Sequence, residues 1–349
     1  MTEPKVTPIR KQYLEIKSQY PDAIVFFRLG DFYETFDDDA ETTSRVLDIV
    51  LTSRNVAKGM RVPMAGIPYH AAENYLSRLI DKGYHVAICE QIGPPPKKGL
   101  VHREVVRVVT PGTILEPSLL KGDQNNYLCS AFFGEKKARF AYLDLSTGEF
   151  AATQVENSQM MSLIRAEITR LNPAEVLLPG EVDELHTTPG HKTTYASWHF
   201  EFGRCRETLL NHFGTTTLDG FGIRQSPLAV QAAGAILQYI QDTQPQALNL
   251  LNSLATYNFN EFMTLDAVTR RNLELTETLR THDKVGSLLH ILDNTVTPMG
   301  FRMLTQWVSK PLLDVEKIND RLDMVDVLVE EGVLRAELRA RLKPLADIE

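Results

Sequence analysis

Cysteine is scarce: the chain of 349 residues has three, Cys89, Cys129 and Cys205, far apart in sequence, with no Cys-x-x-Cys pair and no Cys/His spacing suited to zinc. That excludes a disulfide framework or a structural zinc site as the organising principle and favours a reducing, cytoplasmic setting. No apolar run approaches the roughly 20 residues of a membrane-spanning helix, so no membrane partner is expected. The opening residues (MTEPKVTPIRKQ) also lack the apolar core of a signal peptide. Internal repeats and low-complexity tracts are absent. So is any Gly-rich loop ending in Gly-Lys-Ser/Thr, the usual cradle of a nucleoside triphosphate. What is present is ordinary: 43% hydrophobic and 23% charged residues, in a length that allows two or three domains.

The net charge of −8 argues at first against a polyanion partner. Its distribution is uneven. Residues 1–110 carry 15 Lys/Arg and 14 Asp/Glu, whereas residues 111–349 carry 22 and 31. A near-neutral head on an acidic body permits a local nucleic-acid surface without demanding one.

Helix and strand signals alternate over the first 110 residues or so. Thr7-Pro8 caps a helix to about Gln19, with Ile9, Tyr13 and Ile16 on one face. Ala23–Phe27 reads as a strand buried on both faces. Asp37-Asp38-Asp39 opens a helix continued by Ala40, Thr43, Leu47 and Val50. A further helix begins near Ala71, with Gly83 beyond its end, and two strands follow, Tyr84–Cys89 and Glu104–Val109. Past a turn-rich junction (Pro111 to Asp123), Tyr127–Gly134, Ala138–Leu145 and Glu149–Val155 read as an antiparallel meander. A helix over about 158–171, a strand at Glu175–Leu178 and later helices complete a second α/β domain. From about Asn258 the pattern turns helical. Helices are expected over Asp266–Leu279, after Thr297-Pro298 (Met303, Leu304, Trp307, Val308) and after Asp314 (Val315, Ile318, Leu322, Val325, Val329), with these apolar stripes as core. The final apolar face (Leu334, Leu338, Leu342) has no partner in the sequence, which suggests a portion of a longer protein. The fold class is therefore multidomain α/β with a mostly helical last segment.

Leu29-Gly30-Asp31-Phe32-Tyr33-Glu34-Thr35-Phe36 is the segment most suggestive of function. In extended geometry Phe32 and Glu34 point the same way and Tyr33 points opposite. An apolar ring beside a carboxylate can insert between base steps and hydrogen-bond a base edge. Phe32 and Phe36 in a core beside a solvated Glu34 would account for the same composition. Thr52–Arg61 places Arg54, Lys58 and Arg61 in a polar loop able to grip phosphates, although a solvated basic loop has the same pattern. Val62–His70 reads as a stiff, proline-rich connection leading into a helix whose N-terminus could face a phosphate. Its His70 fits capping or packing as well as a ligand role.

Gly30-Asp31-Phe32-Tyr33-Glu34, Pro63-Met64-Ala65-Gly66-Ile67-Pro68-Tyr69-His70, Cys89-Glu90-Gln91 and Val109-Thr110-Pro111-Gly112-Thr113 together resemble the bacterial mismatch-recognition family MutS. The resemblance continues through Asp144-Leu145-Ser146-Thr147-Gly148-Glu149, Leu265-Asp266-Ala267, Thr269-Arg270-Arg271-Asn272-Leu273-Glu274 and Thr297-Pro298-Met299-Gly300. It covers essentially the whole chain.

By that resemblance, residues 1–112 are a mismatch-recognition domain and 120–245 a connector with a ribonuclease H-like fold. Residues 255–349 are the start of a helical core, or lever, domain. The family's Phe-x-Glu pair falls on Phe32 and Glu34, and Arg54 matches a DNA-contacting position. Lys58, Arg61, Tyr69, His70 and Asn74 are contacts by location, and Met64 is placed beside the wedge. The ligand implied is duplex DNA with mispairs or small insertion/deletion loops. A homodimer and a MutL-type downstream factor are the implied protein partners. ATP and Mg2+ would serve a longer form, and no catalytic, cofactor or metal site is expected in these residues. Two other classes stay open. A structure-specific nuclease would use Asp144 and Glu149, which flank a tight turn and read as surface positions. An interaction adaptor would use the acidic portion.

Overall fold

The computed structural model describes residues 6–57, 59–93, 99–223 and 226–348. Two compact units emerge: residues up to Leu119 together with Tyr239–Leu248, and Leu120–Gln238 together with Asn249 onward.

In the first unit, α1 (Pro8–Gln19) starts where the Thr7 hydroxyl accepts from the Arg10 N–H and Pro8 occupies the first turn. Then come β1 (Ala23–Leu29), β2 (Phe32–Phe36), α2 (Asp37–Leu47), β3 (Thr52–Ala57), β4 (Met60–Pro68), α3 (Ala72–Ile80), β5 (His85–Gln91) and β6 (Arg103–Val109). The sheet runs β3-β4-β2-β1-β5-β6, antiparallel throughout except for the β1–β5 pair. One face holds Val25, Phe27, Phe36, Val62, Ala87 and Cys89, packed with Tyr13 and Ile16 of α1. Helices α2 and α3 pack against β4, with α2 also on β2 and α3 on β5, and bury Leu47, Leu76, Leu79 and Ile80. Buried Asp39 ties these layers together. Its carboxylate accepts from the Tyr13 hydroxyl, the Lys17 ammonium and the Val25 N–H, a strand-edge donor that β2 does not reach.

In the second unit, β7 (Tyr127–Phe133), β8 (Ala138–Asp144) and β9 (Glu149–Val155) form the expected meander. α4 (Met160–Leu171), β10 (Glu175–Leu178), β11 (His191–Thr194), α5 (Phe202–Phe213), α6 (Ala229–Thr243) and β12 (Ala255–Thr256) follow, α6 closing in the segment assigned to the first unit. The sheet order is β11-β10-β7-β8-β9-β12, with β10, β11 and β12 joined in parallel. The remainder is helical: α7 (Ala267–Asn272), α8 (Leu288–Leu292), α9 (Pro298–Ser309), α10 (Val315–Glu330) and α11 (Gly332–Leu342).

Several expectations need correction. Residues 52–57 and 60–68 are neither a loop nor a connection but the β3–β4 hairpin, turned at Gly59 (φ 76°). Its buried residues Val62, Ala65 and Ile67 do not keep to one face of the strand, and Pro63 and Gly66 interrupt the run further, so no alternation marks it in sequence. α2 ends at Leu47 because Asp48 adopts left-handed geometry (φ 56°), which leaves Val50 exposed. The helix expected over Asp266–Leu279 stops at Asn272. Glu274 has φ 47°, and its carboxylate accepts from the Leu279 N–H, closing a turn in place of helix. The stripes on α9 and α10 are not core: Met303, Trp307, Val315, Leu322, Val325 and Val329 are exposed, and α10 buries no residue. Helical periodicity marks an apolar face without specifying what covers it.

Candidate nucleic-acid interface

A two-residue turn, Gly30-Asp31, joins β1 to β2, and Gly30 takes the left-handed φ of 59° that the reversal requires. Phe32 is therefore the first residue of β2, opposite Leu29 on one side and Pro68 on the other, at the end of the sheet. It is 46% exposed, whereas its neighbour Tyr33 turns inward onto Phe26 and donates its hydroxyl to Glu90. Strand alternation places Phe32, Glu34 and Phe36 on one face. Phe36 seals the core, Glu34 is half-buried, and Phe32 stands clear. Across from Glu34 lies Gly66, where a Cβ would sit 3.7 Å from both Glu34 Cγ and Phe32 Cδ1. Ring and carboxylate thus flank a strip of bare backbone.

Glu34 is electrostatically poised. Burial raises its pKa above the usual glutamate value, and the Arg54 guanidinium, 2.5 Å from its carboxylate, partly opposes that rise. Arg54 reaches Glu34 from β3, across β4.

The other named residues divide. Met64 lies opposite Phe36, four pairs inward from the Phe32–Pro68 pair, and packs against the core cluster. Tyr69 and His70 follow β4 at the rim. The Tyr69 ring is exposed but covered on one side by the Arg28 guanidinium at 3.6 Å, and His70 meets it edge-on. Arg61 is exposed on the hairpin, with its guanidinium 3.3 Å from the Ser53 carbonyl. Asn74 is exposed on α3. Lys58 lies outside the described residues.

In the second unit, Asp144 and Glu149 are not surface carboxylates. Asp144 is fully buried and accepts from the Asn125 amide, the Asn126 N–H, and the N–H and hydroxyl of Ser146. Glu149 accepts from the hydroxyls of Tyr127 and Tyr142 and from the Gln306 amide. Both carboxylates are thus committed to holding the β8–β9 turn and its surroundings.

Three family models match the chain: MutS domain I over residues 7–118, MutS domain II over 126–252 and MutS domain III over 268–349. The chain belongs to the MutS family. It is 49% identical over 348 residues to the DNA mismatch repair protein MutS of Dehalococcoides mccartyi, covering 99% of this chain and 40% of that relative. The MutS protein of Symbiobacterium thermophilum is also 49% identical, over 358 residues (100% of this chain, 41% of the relative). That of Methanosarcina acetivorans is 45% identical over 363 residues (99% and 40%). The chain spans about 40% of the length of these curated relatives.

In this MutS-family chain, Phe32, Glu34, Arg54 and Gly66 all fall within the domain I match. The Arg54–Glu34 pair and the bare backbone at Gly66 were not found by sequence reasoning. The signal lay in the β3–β4 hairpin, since once that pairing is drawn, Arg54 and Glu34 fall on the same face.

Proposed function

We propose that this chain recognises mispaired or unpaired bases in duplex DNA as part of mismatch repair, with Phe32 entering the minor groove and stacking on a displaced base. The observation that carries this reading is the exposed Phe32 ring at the sheet end, beside Glu34 and over Gly66. A duplex kinked at the inserted ring costs a few to about 10 kcal/mol depending on local stiffness. A mispair has already lost stacking and pairing, so it deforms more cheaply than matched sequence. Discrimination then tests deformability more than base identity, which suits a sensor of many different errors.

Glu34 opposes approach of the phosphates through its charge and through the cost of its burial. A displaced base offering a hydrogen bond offsets that opposition. The raised pKa makes the protonated carboxyl, a donor, accessible for such a bond. Arg54 and Arg61 on the hairpin, with Lys58, Tyr69, His70 and Asn74 as further contacts, would address the backbone, and Met64 would support the site from the core.

Residues 1–112, 120–245 and 255–349 would act as recognition, connector and lever segments. The order β9-β8-β7-β10-β11, a meander continued by two parallel strands, supports a ribonuclease H-like connector. Homodimerisation, a MutL-type partner, and ATP with Mg2+ would belong to a longer form working in the cytoplasm at the nucleoid. Binding titrations with a G·T duplex and its matched counterpart test the reading. Phe32→Ala abolishes preference for the mispair, and Glu34→Ala narrows preference while keeping or raising affinity for matched DNA. Equal, small losses on both DNAs for both variants refute it.

A further inference from the structure

We propose that Arg54 is the resident counter-ion of Glu34, and that recognition exchanges partners: the Glu34 carboxyl passes to a displaced base while the Arg54 guanidinium passes to a phosphate of the same duplex. The proposal rests on the reading of Phe32 and Glu34 above and assigns Arg54 a role in specificity beyond a backbone contact.

The geometry suits an exchange. Arg54 and Glu34 stand on β3 and β2, separated by β4, so the guanidinium spans a whole strand to make one contact at 2.5 Å. Among the described residues its other N–H groups have no hydrogen-bond partner. The Arg54 side chain is 37% exposed and that of Glu34 16%, so the guanidinium is the more accessible partner of the pair. Guanidinium binds carboxylate and phosphate with the same planar donors, so the two acceptors compete for it.

The exchange makes two contacts conditional on each other. On matched DNA no base edge faces Glu34. Moving Arg54 to a phosphate would then leave a half-buried carboxylate without its counter-ion, and the pair stays closed. On mispaired DNA the displaced base takes Glu34, and Arg54 is freed. The pair therefore withholds a phosphate contact from the duplexes that should be rejected.

The test is a double-mutant cycle on the full chain, read by fluorescence anisotropy over a salt series with fluorescein-labelled matched and G·T duplexes. Glu34→Gln should raise matched-duplex affinity about tenfold. It should also steepen the dependence of log K on log salt by about 0.9, one added phosphate contact. In the Arg54→Met background both changes should vanish, and Arg54→Lys, which keeps the charge, should restore the steeper slope. Absence of the gain, or an equal gain and slope change in both backgrounds, overturns the exchange. Phe32→Ala separates the two levels. If it loses mispair preference while the cycle is additive, only the exchange fails. If it keeps that preference, the recognition reading fails and the exchange with it.

Discussion

Phe32 Cδ1 and Glu34 Cγ approach Gly66 so closely that a methyl group there would stand 3.7 Å from each, at van der Waals contact and without overlap. The strand at Gly66 has no left-handed φ, so glycine is needed for the open space above the strand and not for backbone freedom. Gly66→Ala should keep affinity for a G·T duplex within about twofold. Gly66→Leu should push the ring aside and lower that affinity at least about tenfold, with little change in the urea midpoint, since the site faces solvent. Parallel binding and denaturation curves check this.

Glu34 gives a titration signature independent of DNA. Its folded pKa is raised, so its protonated form favours the fold. That contribution is complete below the ordinary glutamate pKa and is lost as pH rises through the raised value. Removing the opposing cation with Arg54→Met should move the Glu34 midpoint further upward, read from the carboxyl carbon by NMR. A midpoint that falls, or does not move, contradicts the ion pair.

A buried pair in the second unit should dominate stability there. The Glu167 carboxylate accepts from Arg170 twice, at 2.8 Å, and from the Tyr257 hydroxyl at 2.9 Å. Burial alone would raise its pKa, but the Arg170 guanidinium, helped by the Lys310 charge and the Tyr257 hydroxyl, outweighs burial and holds it below the usual range. The ionised pair therefore supports the fold above the ordinary glutamate pKa, and that support drains away as pH falls through the lowered value. Arg170→Met should cost about 3–5 kcal/mol at neutral pH by stranding the carboxylate. Urea denaturation at neutral and acidic pH should show the loss shrinking as Glu167 protonates.

The exposed face of α10 should behave oppositely. Leu322, Val325 and Val329 are more than half exposed, so Leu322→Ser or Val325→Ser in this chain should shift stability by no more than about 0.5 kcal/mol. Core positions at the same spacing would lose several-fold more.

What was legible in the sequence followed local physics. Thr7-Pro8 fixed the start of α1, the run of five apolar residues at Ala23 fixed β1, and alternation alone predicted that Phe32 and Glu34 share a face with Tyr33 opposite. What was hidden depended on pairing between distant segments. Pro63 and Gly66 masked a strand, so Arg54 looked like a loop cation when it sits opposite Val62, one strand from Glu34. Asp144 looked exposed beside its turn, yet it is buried by the backbone and side-chain donors that converge on it. Periodicity on α10 was read as core because a period reports amphipathicity and says nothing of the covering layer.

The most direct test of the central claim is the bend angle of a doubly labelled G·T duplex, measured by energy transfer at saturating protein. Wild-type chain should bend the mispaired duplex and leave its matched counterpart nearly straight, and Phe32→Ala, though bound, should leave both straight. A Phe32→Ala chain that bends the G·T duplex as far as wild type would contradict the account.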